Sequence, residues 1–206
     1  MSAATTPSPS PSPSPARRRR KDQPGPLMVA ARRLIALMLL VLAVWAIVNE
    51  QAFRAGEAWA VSHILDGIFG VNSMAVAGEP LFVFQGRAGN ELGWSGLRIT
   101  MQCTVLLFLV PTLFVAAMAL NGRRVPGRRI LLATTAAVGL LVVANLARCV
   151  MIALAMNQWG RAGYEWTHVL VGSIVMLAAA LVAVLVFVRL GFFGRRDRPG
   201  RRVQPA

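Results

Sequence analysis

Three side chains in this sequence have the types that peptide-bond chemistry requires, namely Cys103, Arg148 and His168. A cysteine thiolate can attack a carbonyl carbon, a histidine can carry a proton to the leaving group, and an arginine can hold the charge on the carbonyl oxygen. Each lies in or beside a different apolar run. A charged residue within such a run, as Arg148 is, is costly enough to indicate a function. The sequence therefore predicts a site built from three separate elements.

The three residues also fall at one depth if the apolar runs are helices that cross a membrane. A helix rises about 1.5 Å per residue, so Arg148 would stand about 27 Å above the inner end of its run. The same arithmetic gives about 25 Å for Cys103 and about 30 Å for His168. All three heights reach the outer edge of a hydrocarbon core about 30 Å thick. We therefore expect the thiol, the guanidinium and the imidazole to meet in the outer layer of the membrane.

The chain is more apolar than an ordinary soluble protein. Of its 206 residues, 56% are apolar and 15% are charged, against about 45–50% and about 25% in soluble domains. Four apolar runs approach the roughly 20 residues that a membrane-spanning helix needs. We expect an all-α integral membrane protein, a four-span helical bundle with spans at about 32–53, 103–120, 130–156 and 168–190.

The basic residues indicate how this bundle is oriented. With the N-terminus inside, the cytoplasmic segments hold 17 of the 22 Lys and Arg residues, and the outer segments hold Arg54, Arg87, Arg98 and Arg161. Short cytoplasmic loops are enriched in Lys and Arg. Both termini are therefore expected in the cytoplasm of a plasma-membrane protein, with residues 54–102 and the active site on the extracytoplasmic side. The net charge of +14 reflects this topology, so the expected partner is membrane lipid and not nucleic acid.

The ends of the chain are expected to be tails around one membrane catalytic domain. Residues 1–26 have the Ser/Pro-rich and Arg-rich composition of a disordered cytoplasmic tail, residues 27–190 form the domain, and residues 191–206 form a basic cytoplasmic tail. A cleaved signal peptide is the alternative for the first run, because Ala58-Trp59-Ala60 resembles a cleavage site. That tripeptide lies ten residues beyond the run, so we prefer a membrane anchor.

The outer segment is expected to hold a helix and a small β element. Residues 58–69 are too short and too polar to cross a membrane, which favours a helix lying in the outer interface. Residues 97–102 alternate between apolar and polar types, as a half-exposed strand does. Together with the short segments 74–77 and 81–84, they predict a small extracytoplasmic β element that leads into Cys103.

Several neighbouring residues could support the site or simply pack. Asn145 lies one turn before Arg148 on the same helix face, where its amide can hydrogen-bond the guanidinium or a substrate. Glu165, three residues before His168, could orient the imidazole. Cys149 is rotated by about 100° from Arg148 around the helix and is expected to pack. Three aromatic residues fit an interfacial aromatic belt: Trp159, Tyr164 and Trp166. The sequence offers no metal-ligand cluster.

The order of these motifs resembles that of the exosortase/archaeosortase family of membrane transpeptidases. The matching segments are Ile99-Thr100-Met101-Gln102-Cys103-Thr104, then Asn145-Leu146-Ala147-Arg148, then His168 at the head of the last run. In that family a Cys usually followed by Ser-Gly opens a helix, an N-x-x-R motif lies near the outer end of the next, and a His follows. Here Thr104-Val105 stands in place of Ser-Gly, so Thr104 keeps the hydroxyl. The likeness covers residues 55–190 and is to the compact members.

The resemblance implies a membrane-embedded cysteine protease and transpeptidase. Such an enzyme cleaves the C-terminal sorting signal of exported proteins at the outer face of the membrane and can transfer them to an acceptor. Cys103 would be the nucleophile, Arg148 the essential arginine and His168 the catalytic histidine. Asn145, Thr104 and Glu165 would support them. The substrate would carry a short motif, an apolar span and a basic tail, and no cofactor is implied.

Two other interpretations remain open. A membrane thiol–disulfide protein would pair Cys103 with Cys149, whose similar depth allows Cα atoms within about 7 Å. It has no CxxC motif and leaves Arg148 unexplained. A non-enzymatic membrane subunit would use small residues such as Gly139 and Gly172 at helix interfaces. That interpretation makes the shared depth of three polar residues a coincidence.

Overall fold

The chain folds into helices and one small sheet. The computed structural model describes residues 26–88, 91–122 and 125–193, so most of the two predicted tails lies outside the described residues. The elements follow in the order helix α1 (Pro26–Val48), helix α2 (Glu50–Phe69), strands β1 (Ser73–Ala75), β2 (Leu81–Ala88) and β3 (Glu91–Arg98), helix α3 (Leu106–Asn121), helix α4 (Gly127–Glu165), a π-helix (Trp166–Val171) and helix α5 (Gly172–Phe192). The predicted small β element is confirmed, but β2 and β3 have eight residues each and are longer than expected, whereas β1 has three.

Apolar surface covers much of the helical part. Within the described residues, two helical stretches are long and apolar enough to cross a membrane, Pro26–Val48 and Gly127–Phe192. Helix α3 is also apolar but has 16 residues. Large apolar side chains such as Leu37, Leu177 and Leu185 are exposed on α1 and α5. A surface of this kind is stable when lipid covers it.

The stretch Gly127–Phe192 folds back on itself at Gly160. This glycine has φ 59° and ψ −138°, a combination that residues with a β-carbon avoid. Beyond it the backbone returns along α4: Gly163 packs on the carbonyl group of Ala155, and Gly191 lies beside Ala133. The sequence separation between contacting residues therefore increases with their distance from Gly160. Helices α4 and α5 therefore form an antiparallel hairpin.

The first helix ends earlier than the sequence predicted. We expected a span at 32–53, but α1 ends at Val48 and α2 begins at Glu50. Asn49 between them has φ −102° and ψ 32°, and its side-chain Nδ2 donates a hydrogen bond to the carbonyl oxygen of Trp45 at 3.0 Å. The same carbonyl oxygen also accepts from the Asn49 backbone amide at 2.9 Å, so the side chain and the backbone share this acceptor where α1 ends. The residues after Asn49 therefore belong to α2.

Two other expected boundaries also shift. The run at 103–120 becomes helical only at Leu106, because residues 101–105 form turns. The run at 168–190 begins in the π-helix and becomes α-helical at Gly172. Cys103 and His168 therefore lie just before regular helices and not within them.

The sheet is a three-stranded antiparallel meander in the order β1-β2-β3. Its apolar residues Phe82, Phe84 and Leu97 are buried with Val61 and Leu65 of α2. The strand predicted at 97–102 is wrong in its bounds, since β3 runs from Glu91 to Arg98. Of the apolar residues in the alternation that suggested this strand, only Leu97 and Ile99 are buried.

Candidate active site

Cys103 lies in a turn between the sheet and helix α3. Its backbone amide donates to the carbonyl oxygen of Thr100 at 2.9 Å, which closes the turn. The Thr100 hydroxyl donates to the Cys103 sulfur at 3.4 Å. The thiol is buried. The contacts of this turn, and not a regular helix, therefore fix the position of the Cys103 sulfur.

His168 lies against this thiol. Its Nε2 atom is 2.9 Å from the Cys103 sulfur, within hydrogen-bond distance, although the two residues are 65 positions apart. The imidazole stacks on the ring of Tyr164, with centroids 4.9 Å apart and an interplanar angle of 18°. His168 belongs to the π-helix, a rare helix type that occurs frequently at functional sites. The sequence-based prediction that Cys103 and His168 share one layer agrees with this contact.

Two expectations about the surroundings of His168 are corrected. Glu165 does not orient the imidazole, because its carboxylate accepts from Arg161 at 3.1 Å in an exposed ion pair. Tyr164, which we had assigned to an aromatic belt, is the residue that packs on the ring. Its spacing of four residues from His168 was the sequence signal, since residues at i and i+4 share a helix face.

Arg148 is buried at the same end of the bundle. Its side chain is 6% exposed, and Nε has no hydrogen-bond partner among the described residues. None of the ion pairs found in the described part of the chain includes it. It packs on the backbone of Gly172, four residues after His168. A buried guanidinium without a fixed acceptor is costly, and it remains able to bind an anionic group.

The hydrogen-bond partners and packing of three further residues differ from one another: Asn145, Thr104 and Cys149. Asn145 is buried, and its amide Nδ2 donates to Glu57 at 2.8 Å, whereas its Oδ1, the atom that could accept from a guanidinium, has no hydrogen-bond partner among the described residues. The Thr104 hydroxyl is also buried and accepts from the Leu106 amide at 3.3 Å, next to the start of α3. Cys149 is a free thiol packed in the apolar cluster that also contains Cys103, as its rotation from Arg148 predicted.

Glu57 is the residue of this region that sequence reasoning missed. It is a buried carboxyl on α2, and its Oε1 accepts from the Val105 amide at 3.0 Å and from Asn145 at 2.8 Å. Burial raises the pKa of Glu57 above its ordinary value, and the neighbouring Thr104, Val105, Asn145 and Arg54 act in the opposite direction. The signal was present in the sequence: Glu57 precedes Val61 and Leu65 at intervals of four, on the apolar face of α2.

An apolar groove of about 720 Å³ adjoins the site. One wall comes from Ile64 and Phe69 of α2 and another from Ala147 and Leu154 of α4. Thr167, which precedes His168, also lines it. The groove therefore adjoins the segment that carries His168.

Together, the fold and the site define a helical membrane protein with a half-buried Cys–His contact and a buried arginine at one end of its bundle. A family model described as transmembrane exosortase matches residues 25–186, and the chain belongs to that family. The resemblance seen in the sequence is thereby confirmed. Comparison with curated proteins and with solved structures gave no match. Exosortases are membrane enzymes of the transpeptidase and protease type that act on exported proteins with C-terminal sorting signals.

Proposed function

We propose that this protein is a cysteine transpeptidase that cleaves the C-terminal sorting signal of an exported protein at the outer face of the plasma membrane. The observation that carries the proposal is the 2.9 Å distance between the Cys103 sulfur and Nε2 of His168. A thiol in hydrogen-bond contact with an imidazole is the arrangement that activates a cysteine nucleophile. The membership of the chain in the exosortase family supports the same chemistry.

Each of the three residues has a defined part in the proposed reaction. The Cys103 thiol first gives its proton to Nε2 of His168, and the sulfur then bonds to the scissile carbonyl carbon while the carbonyl π electrons move to the oxygen, next to Arg148. When this intermediate collapses, the C–N bond breaks, and the leaving amine takes a proton from Nε2 of His168. The product is a thioester on Cys103. Attack by an acceptor amine transfers the protein, whereas attack by water releases it.

We propose that the chain crosses the membrane four times, with both termini in the cytoplasm. The four passes are α1, α3 and the two arms of the α4–α5 hairpin. Helix α2 and the sheet then lie outside, at the end of the bundle that holds Cys103 and His168. The 17 basic residues of the inner segments support this orientation. Reporter fusions after Gly122 and after Phe69 test it, with an inner and an outer position expected respectively.

The proposed substrate is an exported protein whose signal comprises a short motif, an apolar span and a basic tail. The motif has to reach Cys103 in the outer layer of the membrane, and the basic tail has to remain on the cytoplasmic side. The domain that performs this work corresponds to residues 27–190, close to the range that the family model matches. Lipid surrounds the apolar faces of the helices.

Substitution of the two thiols tests this function directly. Cys103→Ala should abolish processing of a co-expressed substrate, because no other thiol contacts His168 among the described residues. Cys149→Ala is the matched control, since that thiol packs in the apolar cluster and both cysteines are free. The readout is substrate size on a gel, with enzyme levels in the membrane measured in parallel. Equal loss from both substitutions would contradict the proposal and favour a thiol–disulfide protein.

A further inference from the structure

One oxygen atom joins the two segments that carry Cys103 and Arg148. Oε1 of Glu57 accepts from the Val105 amide, two residues after Cys103, and from Nδ2 of Asn145, three residues before Arg148. Asn145 and Arg148 lie on the same face of α4. Glu57 itself belongs to α2, so a helix that carries neither residue connects the turn before α3 with α4.

A second side chain of α2 holds the Cys103 segment on its other side. Nη1 of Arg54 donates to the carbonyl oxygen of Ile99 at 3.1 Å, four residues before Cys103. Arg54 is fixed in turn by a 2.7 Å ion pair with Glu50, one turn earlier on α2. Arg54 and Glu57 lie one turn apart and therefore hold the turn-forming segment 99–105 at both of its ends.

We propose that Glu57 is a positioning residue of this site: by accepting hydrogen bonds from the Val105 and Asn145 amides, it fixes the Cys103 segment relative to the helix that carries Arg148. This inference rests on the proposed function, in which those two residues act on one carbonyl group. It also gives α2 a role inside the site, whereas the sequence predicts only a helix that lies in the outer interface.

The physical need for such a link follows from the local structure. Cys103 lies in a turn, which lacks the ladder of backbone hydrogen bonds that fixes a helical residue. A displacement of about 1 Å at a reacting group can cost about 100-fold in rate. A carboxyl oxygen that accepts two amide hydrogen bonds in a buried site is a strong constraint, because neither amide has water as an alternative partner.

Alkylation of Cys103 tests the inference without a substrate. The experiment uses the full chain with Cys149→Ala in membranes, iodoacetamide as the probe, and the rate of Cys103 labelling at several pH values. Only the thiolate reacts. In Glu57→Ala the thiol should lose its contact with His168, and labelling near neutral pH should slow by about tenfold. Glu57→Gln keeps a carbonyl oxygen in the same place and should restore most of the rate.

The controls separate this inference from the function on which it rests. Asp66→Ala removes an exposed carboxylate from the same helix and should leave labelling unchanged. His168→Ala should slow labelling if the proposed catalytic contact exists. If His168→Ala labels as fast as the parent, or if the parent does not label, the proposed function fails. If His168→Ala is slow and Glu57→Ala is not, only the positioning role fails.

A double substitution decides whether Glu57 and Asn145 act as one link. Glu57→Ala combined with Asn145→Ala should label no more slowly than Glu57→Ala alone, because the link is already broken. Multiplied effects would overturn the inference, as would a Glu57→Gln variant as slow as Glu57→Ala. Should Glu57→Ala fail to accumulate, Asn145→Ala gives the answer by itself: slow labelling is expected, and labelling at the parent rate would overturn the inference.

Discussion

Arg148 packs directly on the backbone of Gly172. A β-carbon at position 172 would stand 2.6 Å from Nε of Arg148 and 2.8 Å from the carbonyl oxygen of Thr167. Both distances are shorter than van der Waals contact allows, and the second involves backbone that cannot rotate away. Because Gly172 has no side chain, Arg148 can pack on the helical segment that carries His168, about one turn beyond the histidine.

Gly172→Ala should impair processing of the substrate by about 100-fold, since it forces the guanidinium out of place. Gly139→Ala provides a matched control on the same hairpin, because a β-carbon at position 139 meets open space. In a helix interior the change from Gly to Ala stabilises by about 0.5–1 kcal/mol where there is room. Substrate processing and the melting temperature of each purified variant are the measurements. Equal behaviour of the two alanine variants would contradict the packing argument.

The stacking of Tyr164 on His168 should contribute to catalysis through the orientation of the imidazole. Tyr164→Phe keeps the stacked ring and should retain nearly full activity. Tyr164→Leu loses an aromatic contact worth about 0.5–1.5 kcal/mol and should lower the processing rate by about two- to tenfold. Trp166→Leu is the control, because the Trp166 side chain is exposed beside the same histidine. A Tyr164→Phe variant as slow as Tyr164→Leu would assign the effect to the hydroxyl and not to the ring.

The raised pKa of Glu57 predicts how stability depends on pH. Its carboxyl favours the neutral form more strongly in the folded than in the unfolded chain. The folded state is therefore most favoured below the ordinary pKa of the carboxyl, and it loses stability as the pH rises towards the raised value. Glu57→Gln has no such charge to bury. Its melting temperature relative to the parent should therefore increase as the pH is raised in a series that starts below the ordinary pKa of a carboxyl group. A constant difference would mean that Glu57 does not titrate in this range.

The sequence predicts the positions of Cys103, Arg148 and His168 better than it predicts their surroundings. The rise of a helix converts sequence distance into depth before any packing is known. The cost of a charge in an apolar run marks Arg148 without an alignment. Depth does not determine how each helix is rotated about its axis or which helices are in contact. The 2.9 Å contact between Cys103 and His168 depends on both.

Local departures from regular structure explain the remaining differences. The backbone of Asn49 departs from helical geometry, with φ −102° and ψ 32°, and separates α1 from α2, whereas hydropathy alone predicts a continuous span. The π-helix around His168 adds a residue to a turn, which rotates the following helix and has no signature in apolar periodicity. Sequence reasoning misses Glu57 because its partners, Val105 and Asn145, lie 48 and 88 residues away in the sequence.

Arg148→Lys distinguishes a catalytic arginine from one that only extends its charge towards the membrane surface. A snorkelling residue needs a long stem and a terminal charge, which Lys supplies as well as Arg does. A residue that binds an oxyanion needs the planar fork of donors that only the guanidinium has. The absence of an ion pair to Arg148 among the described residues supports the second role.

Loss of an oxyanion donor typically lowers a rate by about 10² to 10³, so Arg148→Lys should leave the substrate unprocessed in cells while the enzyme accumulates normally in the membrane. Arg161→Lys is the matched control, because that guanidinium is exposed and, within the described part of the chain, pairs with Glu165. Its substrate should be processed as in the parent. Normal processing by Arg148→Lys would remove this residue from the reaction. The Cys103–His168 pair would then need another donor for the oxyanion, and the amides at the start of α3 would be the next groups to examine.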